Sequence, residues 1–231
     1  MYRYLNLPFP STPDLSFVSK YKNKDALLVN PKTNFKIIFA DKDVNSYKNI
    51  PYDDEIEIDK DIKFDFQNDF EEWFNNNYSD KNLKIDSGGI SITRPGGANT
   101  IHSDSHHIGN ISRVKINFTF SDYNSQLEYV EQHSDDKIYT FKDETGCVIS
   151  CIDESDCDVK QQIKHETWFP VLLDVKKFHR RNNRKCKTSS VVLSYNVRDS
   201  ENNFIDFDTV EKILSTNLLP KDCKFNLLSD I

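Results

Sequence analysis

Between residues 83 and 197 apolar and polar residues take turns, and a chain with that rhythm has few ways to fold. Val114, Ile116, Phe118 and Phe120 alternate with Lys115, Asn117 and Thr119. A period of two belongs to a strand with one covered face, because successive side chains leave a strand on opposite sides. Leu83–Ile85, Ile90–Ile92, Ile138–Phe141, Cys147–Ile152, Val171–Val175 and Val191–Val197 read as further strands. Turn residues separate them at Pro95-Gly96-Gly97, Ser121–Asn124, Asp143–Gly146 and Arg181–Lys185. Short strands at this spacing predict a β-sandwich or barrel. Four of the six glycines, Gly88, Gly89, Gly96 and Gly97, fall in one stretch, which is the expected site of tight turns.

Helices are expected only at the edges. Phe70, Trp73 and Phe74 lie at i, i+3 and i+4 within Asn68–Asn76, with Asn68 or Asp69 as the cap. Thr209–Ser215 reads as a second short helix, and Phe35–Ala40 as one more strand. The expected class is mainly β with flanking helices. A length of 231 residues suits one domain. Its parts are N-terminal strands and a helix over 1–82, a β core over 83–198 and an extension over 199–231. The acidic run from Asp53 to Asp65, interleaved with isoleucines, reads as a solvated face.

Composition excludes several function classes. Hydrophobic residues at 37%, with 12% aromatics, supply a core and rule out a wholly disordered chain. A net charge of −7 argues against a general nucleic-acid binder, whose affinity rests on neutralising phosphates. No apolar run approaches the roughly 20 residues of a membrane helix. The first residues, Met1-Tyr2-Arg3-Tyr4, lack the apolar segment of a secretory leader, so a cytoplasmic location is expected. The five cysteines are irregularly spaced and form no Cys-x-x-Cys pair, so they read as small buried thiols in a reducing compartment.

The chemistry concentrates in Arg94-Pro-Gly-Gly-Ala-Asn-Thr-Ile-His-Ser-Asp104. His102 and Asp104 are two residues apart, so on a strand an imidazole and a carboxylate would share one face. His179, after the apolar strand Val171–Val175, is the natural third ligand. Two histidines and one carboxylate leave three positions of an octahedral metal open, as non-haem Fe(II) oxygenases require. His106 and His107 extend the histidine string but precede the turn signal Gly109-Asn110, and read as loop residues at the pocket edge. His133 and His165 lie in polar surroundings and read as exposed, and Trp73 and Trp168 as packing residues.

The order of these pieces resembles a known family. Arg94-Pro95-Gly96, His102-Ser-Asp104, Lys115-Ile-Asn117, Tyr129, Phe169-Pro-Val-Leu-Leu173, His179 and Val192-Leu-Ser194 are similar to their counterparts in 2-oxoglutarate/Fe(II)-dependent oxygenases. The nearest likeness is to the aspartyl/asparaginyl-hydroxylase-like and phage-type members. The resemblance spans about residues 85–197 and implies a double-stranded β-helix, the cupin-like jelly roll. It also implies a dioxygenase that hydroxylates a substrate, with Fe(II) and 2-oxoglutarate as cofactors. His102, Asp104 and His179 would hold the iron, and Lys115, Asn117, Tyr129 and Ser194 would line the cosubstrate pocket.

One departure concerns the arginine that such enzymes place about ten residues after the distal histidine to grip the cosubstrate's far carboxylate. Ser190 stands there instead. Lys115, which shares strand parity with Asn117, is the favoured replacement; Arg113, Arg184 and Lys187 are the others. The basic stretch Lys176–Lys187 reads first as a solvated turn and second as a lure for an anionic substrate. The departure keeps two alternatives open: a metal-binding cupin without 2-oxoglutarate chemistry, and a non-enzymatic jelly-roll module.

Overall fold

Two β-sheets face each other, and a helical layer covers the outer face of one of them. The computed structural model describes residues 2–9, 28–29, 36–39, 65–104, 112–121, 124–142, 148–164 and 170–219. The acidic run before Asp65, His106, His107, His165, Trp168, Cys147 and Cys223 lie outside the described residues. In chain order the strands are β1 (Tyr2–Tyr4), β2 (Leu28–Val29), β3 (Lys36–Phe39), β4 (Lys84–Thr93), β5 (Ile101–Ser103), β6 (Val114–Phe120) and β7 (Gln126–Gln132). They continue with β8 (Tyr139–Lys142), β9 (Val148–Ile152), β10 (Cys157–Lys164), β11 (Pro170–Asp174), β12 (His179–Asn182) and β13 (Ser190–Arg198). The helices are α1 (Asp65–Tyr78) and α2 (Phe207–Ile213).

The first sheet runs β1-β11-β6-β13-β4-β3-β2 and the second β10-β7-β12-β5-β9-β8. The pairing is antiparallel except between β3 and β4. The class is therefore mainly β with two facing sheets and few helices, as the alternation predicts. Among the described residues no helix is long and apolar enough to cross a membrane.

α1 starts at Asp65, earlier than the sequence suggests, so Asn68 and Asp69 lie within it rather than capping it. Phe66, Phe70, Phe74 and Tyr78 recur every four residues and are all buried. Phe70 meets Phe118 at 4.8 Å and Tyr195 at 4.9 Å, both edge to face. The Asn75 amide clamps β4: Ile85 N donates to Asn75 Oδ1 at 2.8 Å, and Asn75 Nδ2 donates to Ile85 O at 3.1 Å. The chain turns out of the helical region at Asn82, whose φ of 60° suits asparagine.

Alternation sorts β6 and β13 into two chemistries. Val114, Ile116, Phe118, Phe120, Leu193, Tyr195 and Val197 join the core that packs on α1. Lys115, Asn117, Thr119, Ser194 and Asn196, of opposite parity, face the second sheet. Gly88 and Gly89 do not form a turn. They make a bulge within β4, where the register slips between Ser194 and Tyr195 and Gly89 takes φ 119°. The turn lies at Gly96, with φ 78°.

Candidate metal centre

Strand register brings the two histidines together. His179 on β12 pairs directly with His102 on β5, and with Tyr129 on β7. Residues directly opposite in an antiparallel pair project to the same side, with Cβ atoms about 5 Å apart. The imidazole centroids are accordingly 4.7 Å apart. Asp104 lies just past the end of β5, where its backbone N–H donates to Val175 O at 3.0 Å. Its carboxylate is buried beside the histidines. His102 Nε2 lies 3.5 Å from Asp104 Oδ1, and one ligand atom from each of His102, Asp104 and His179 falls within 4.8 Å of the others.

The tautomers follow from the backbone. His102 Nδ1 lies 2.8 Å from Thr100 O, and His179 Nδ1 lies 2.8 Å from Lys177 O. A carbonyl can only accept, so each Nδ1 donates its N–H to the backbone and each Nε2 is the ring nitrogen left facing the site. Both contacts reach back two residues, and such outer hydrogen bonds orient metal-binding imidazoles. Burial, and after it the neighbouring His102, pulls His179 down to about 4, so it is neutral at pH 7. Burial alone would raise Asp104, but Lys115, His102 and His179 outweigh it and hold the carboxyl at about 2. The cluster thus offers two imidazole nitrogens and one ionised oxygen donor, a set suited to a divalent first-row metal. Cis ligands at about 2.1 Å from a metal are roughly 3 Å apart, so the 3.5 Å pair needs little adjustment.

The other expected residues lie close by. Lys115 reaches from the facing sheet and sets Nζ 2.5 Å from Asp104 Oδ2, leaving Oδ1 toward His102. The Tyr129 ring centroid is 6.1 Å from that of His179. Burial first, then Asp174, keeps its phenol protonated. One residue pair further along the facing strands, Ser194 Oγ donates to Asn117 Oδ1 at 2.6 Å. Arg113 and Arg184 lie elsewhere. Arg113 pairs with Asp206 at 3.3 Å, and Arg184 forks onto both carboxylate oxygens of Glu154 at 2.9 and 2.7 Å. Lys187 is exposed.

The basic stretch is not a solvated turn throughout. β12 continues through Asn182, so the turn begins later than Arg181. Arg180 and Arg181 are each only 4% exposed. They leave β12 on opposite faces. Arg180 enters a network with Glu128 at 2.6 Å and Glu154 at 2.9 Å on the far side of the sheet. Arg181, on the side of His179, was not among the expected site residues. Its parity with His179 is the one signal that points to it. Cys151 pairs with His102 on β9, and burial pushes its thiol up to about 12, an unreactive thiol.

Comparison of the chain with protein-family models, with curated proteins and with solved structures returns no match.

Proposed function

We propose that this protein is an Fe(II)- and 2-oxoglutarate-dependent dioxygenase, with a jelly-roll core, that hydroxylates a substrate. What carries the reading is the convergence of His102, Asp104 and His179 on one spot between two facing sheets. The imidazoles anchored through Nδ1 and the ionised carboxylate make the donor set fit such an ion. When bound, Fe(II) supplies oxygen activation coupled to decarboxylation of the 2-oxo acid. The chain's own contribution is placement. The carbonyls of Thr100 and Lys177 aim the two Nε2 atoms, and Lys115 occupies Asp104 Oδ2, so the carboxylate presents one oxygen rather than two. Single-oxygen ligation keeps further positions open to a chelating cosubstrate. The buried walls, with Tyr129 among them, keep bulk water from His179, whereas His102 stays partly open to solvent.

A second reading, a metal-binding jelly roll without 2-oxoglutarate chemistry, is favoured by β13 itself. Ser190 stands where a cosubstrate arginine is expected, and the arginine of that strand, Arg198, lies 3.5 Å from Asp86. Anaerobic Fe(II) titration with and without 2-oxoglutarate separates the two, with His102→Ala as control. A weak visible charge-transfer band that needs iron, 2-oxoglutarate and His102 upholds the dioxygenase. Iron binding without the band favours the second reading. Absence of iron binding removes both and leaves a jelly-roll module.

A further inference from the structure

Two adjacent arginines on β12 have opposite fates. Arg180 is ion-paired to Glu128 and Glu154. Arg181 is equally buried, yet the one described hydrogen bond of its side chain is from Nη2 to Thr119 Oγ1, at 3.1 Å. Its Nη1 is buried and has no hydrogen-bond partner among the described residues. No described carboxylate pairs with it, and the groups that act on its charge are Tyr4 and Cys186. Burial is the larger influence, pushing Arg181 down to about 10, which still leaves it cationic at neutral pH. A buried cation with an unused donor is costly unless something supplies the missing acceptor.

Its position says where that acceptor comes from. Arg181 follows His179 by two residues, so both side chains enter the space between the sheets, leaving β12 about 7 Å apart. The facing strand β6 runs alongside: Lys115 stands at Asp104, Thr119 at Arg181, and Asn117, bonded to Ser194, between them. A polar track therefore links the histidines to the guanidinium. It is walled by Leu127, Tyr129, Val171 and Leu173. Thr119 Oγ1 accepts from Arg181, which leaves its own hydroxyl hydrogen to donate.

We propose that Arg181, with Thr119 beside it, is the receptor for the distal carboxylate of a small dicarboxylate whose other end lies at the His102–Asp104–His179 cluster. Guanidinium and carboxylate match as parallel donors and acceptors. A chain of four carbon–carbon bonds spans roughly 5 Å, of the order of the roughly 7 Å between the points where the two side chains leave β12, which favours a five-carbon 2-oxo diacid over a shorter one. The assignment moves the anion grip from β13, where Ser190 stands, to β12. It also differs from Lys115, whose ammonium is engaged by Asp104.

The inference rests on the metal reading, and its test keeps the two apart. Mn(II) binding to the full chain is measured first. The loaded protein is then titrated calorimetrically with 2-oxoglutarate and with 2-oxopentanoate, which lacks the distal carboxylate. Wild type should prefer the diacid by about tenfold or more, the range of a charge-assisted hydrogen bond. Arg181→Met should erase that preference by weakening 2-oxoglutarate alone, and Arg181→Lys should restore part of it. Relieved of an unpaired buried charge, Arg181→Met should melt no lower than wild type. A preference that survives in Arg181→Met overturns the proposal. So does an equal loss of both acids with a lower melting temperature, which makes Arg181 structural. If Mn(II) does not bind, the metal reading fails, and glutarate titration of the metal-free protein decides the receptor: Arg181-dependent binding upholds it, and its absence overturns it.

Discussion

Acidifying the metal-free protein should weaken it in two steps, and His179 is responsible for the first. A free histidine protonates near 6.5, whereas burial, and then His102, holds His179 at about 4. Between those values the unfolded chain takes up a proton that the folded chain refuses. Stability from this source is therefore complete above about pH 6.5 and falls as the pH drops toward 4. Each tenfold change in proton affinity is about 1.4 kcal/mol, so the full step is worth about 3 kcal/mol. Asp104 adds a second step, its carboxyl held at about 2 against 3.8 when free. That contribution is present above 3.8 and is lost as the pH falls through 2, about 2 kcal/mol in all. Urea denaturation of the metal-free chain at a series of pH values, beside a His179→Gln variant, isolates the first step. The variant has no such proton to refuse, so its stability curve should be flatter than wild type by about 3 kcal/mol over that interval. Parallel curves would refute the assignment of the acid step to His179.

Three further outcomes follow from the packing and the ion pairs. Phe70 is fully buried, so Phe70→Ala should cost about 3–5 kcal/mol in denaturant unfolding, a loss near zero showing that α1 does not anchor the core. Glu128→Ala strips Arg180 of its buried partner and should cost about 3–5 kcal/mol, whereas the double change Glu128→Leu with Arg180→Met should recover most of it. Lys115→Met leaves the buried Asp104 carboxylate without its ammonium. The metal-free protein should lose stability and Mn(II), as the replacement cation, should bind more tightly; calorimetry showing weaker binding would contradict that role.

The strands and the candidate ligands were legible in the sequence for a local reason. Alternation over Val114–Phe120, and the two-residue spacing of His102 and Asp104, are properties of neighbouring residues, and strand geometry converts them into shared faces. β10 was not legible: most of Cys157–Lys164 is exposed, so it carries little apolar pattern. β12 was hidden for the opposite reason. His179-Arg-Arg-Asn182 is polar throughout and imitates a turn, yet three of its four residues are buried between partner strands. The Gly88-Gly89 bulge was misleading because glycine marks both turns and strand irregularities.

Local pattern was enough to specify a mainly β chain, an aromatic helix at its edge and a set of candidate metal ligands. It could not say which face of each strand points at what. The polar face of β6 and β13 has the pattern of a solvated surface, and only the docking of a second sheet encloses it. The register between β5 and β12 sets His102 against His179, although they are far apart in the chain. That same register buries Arg181 beside Thr119 instead of leaving it in water. Periodicity is a local property of the chain, whereas register and burial depend on strand partners that only the folded protein brings together.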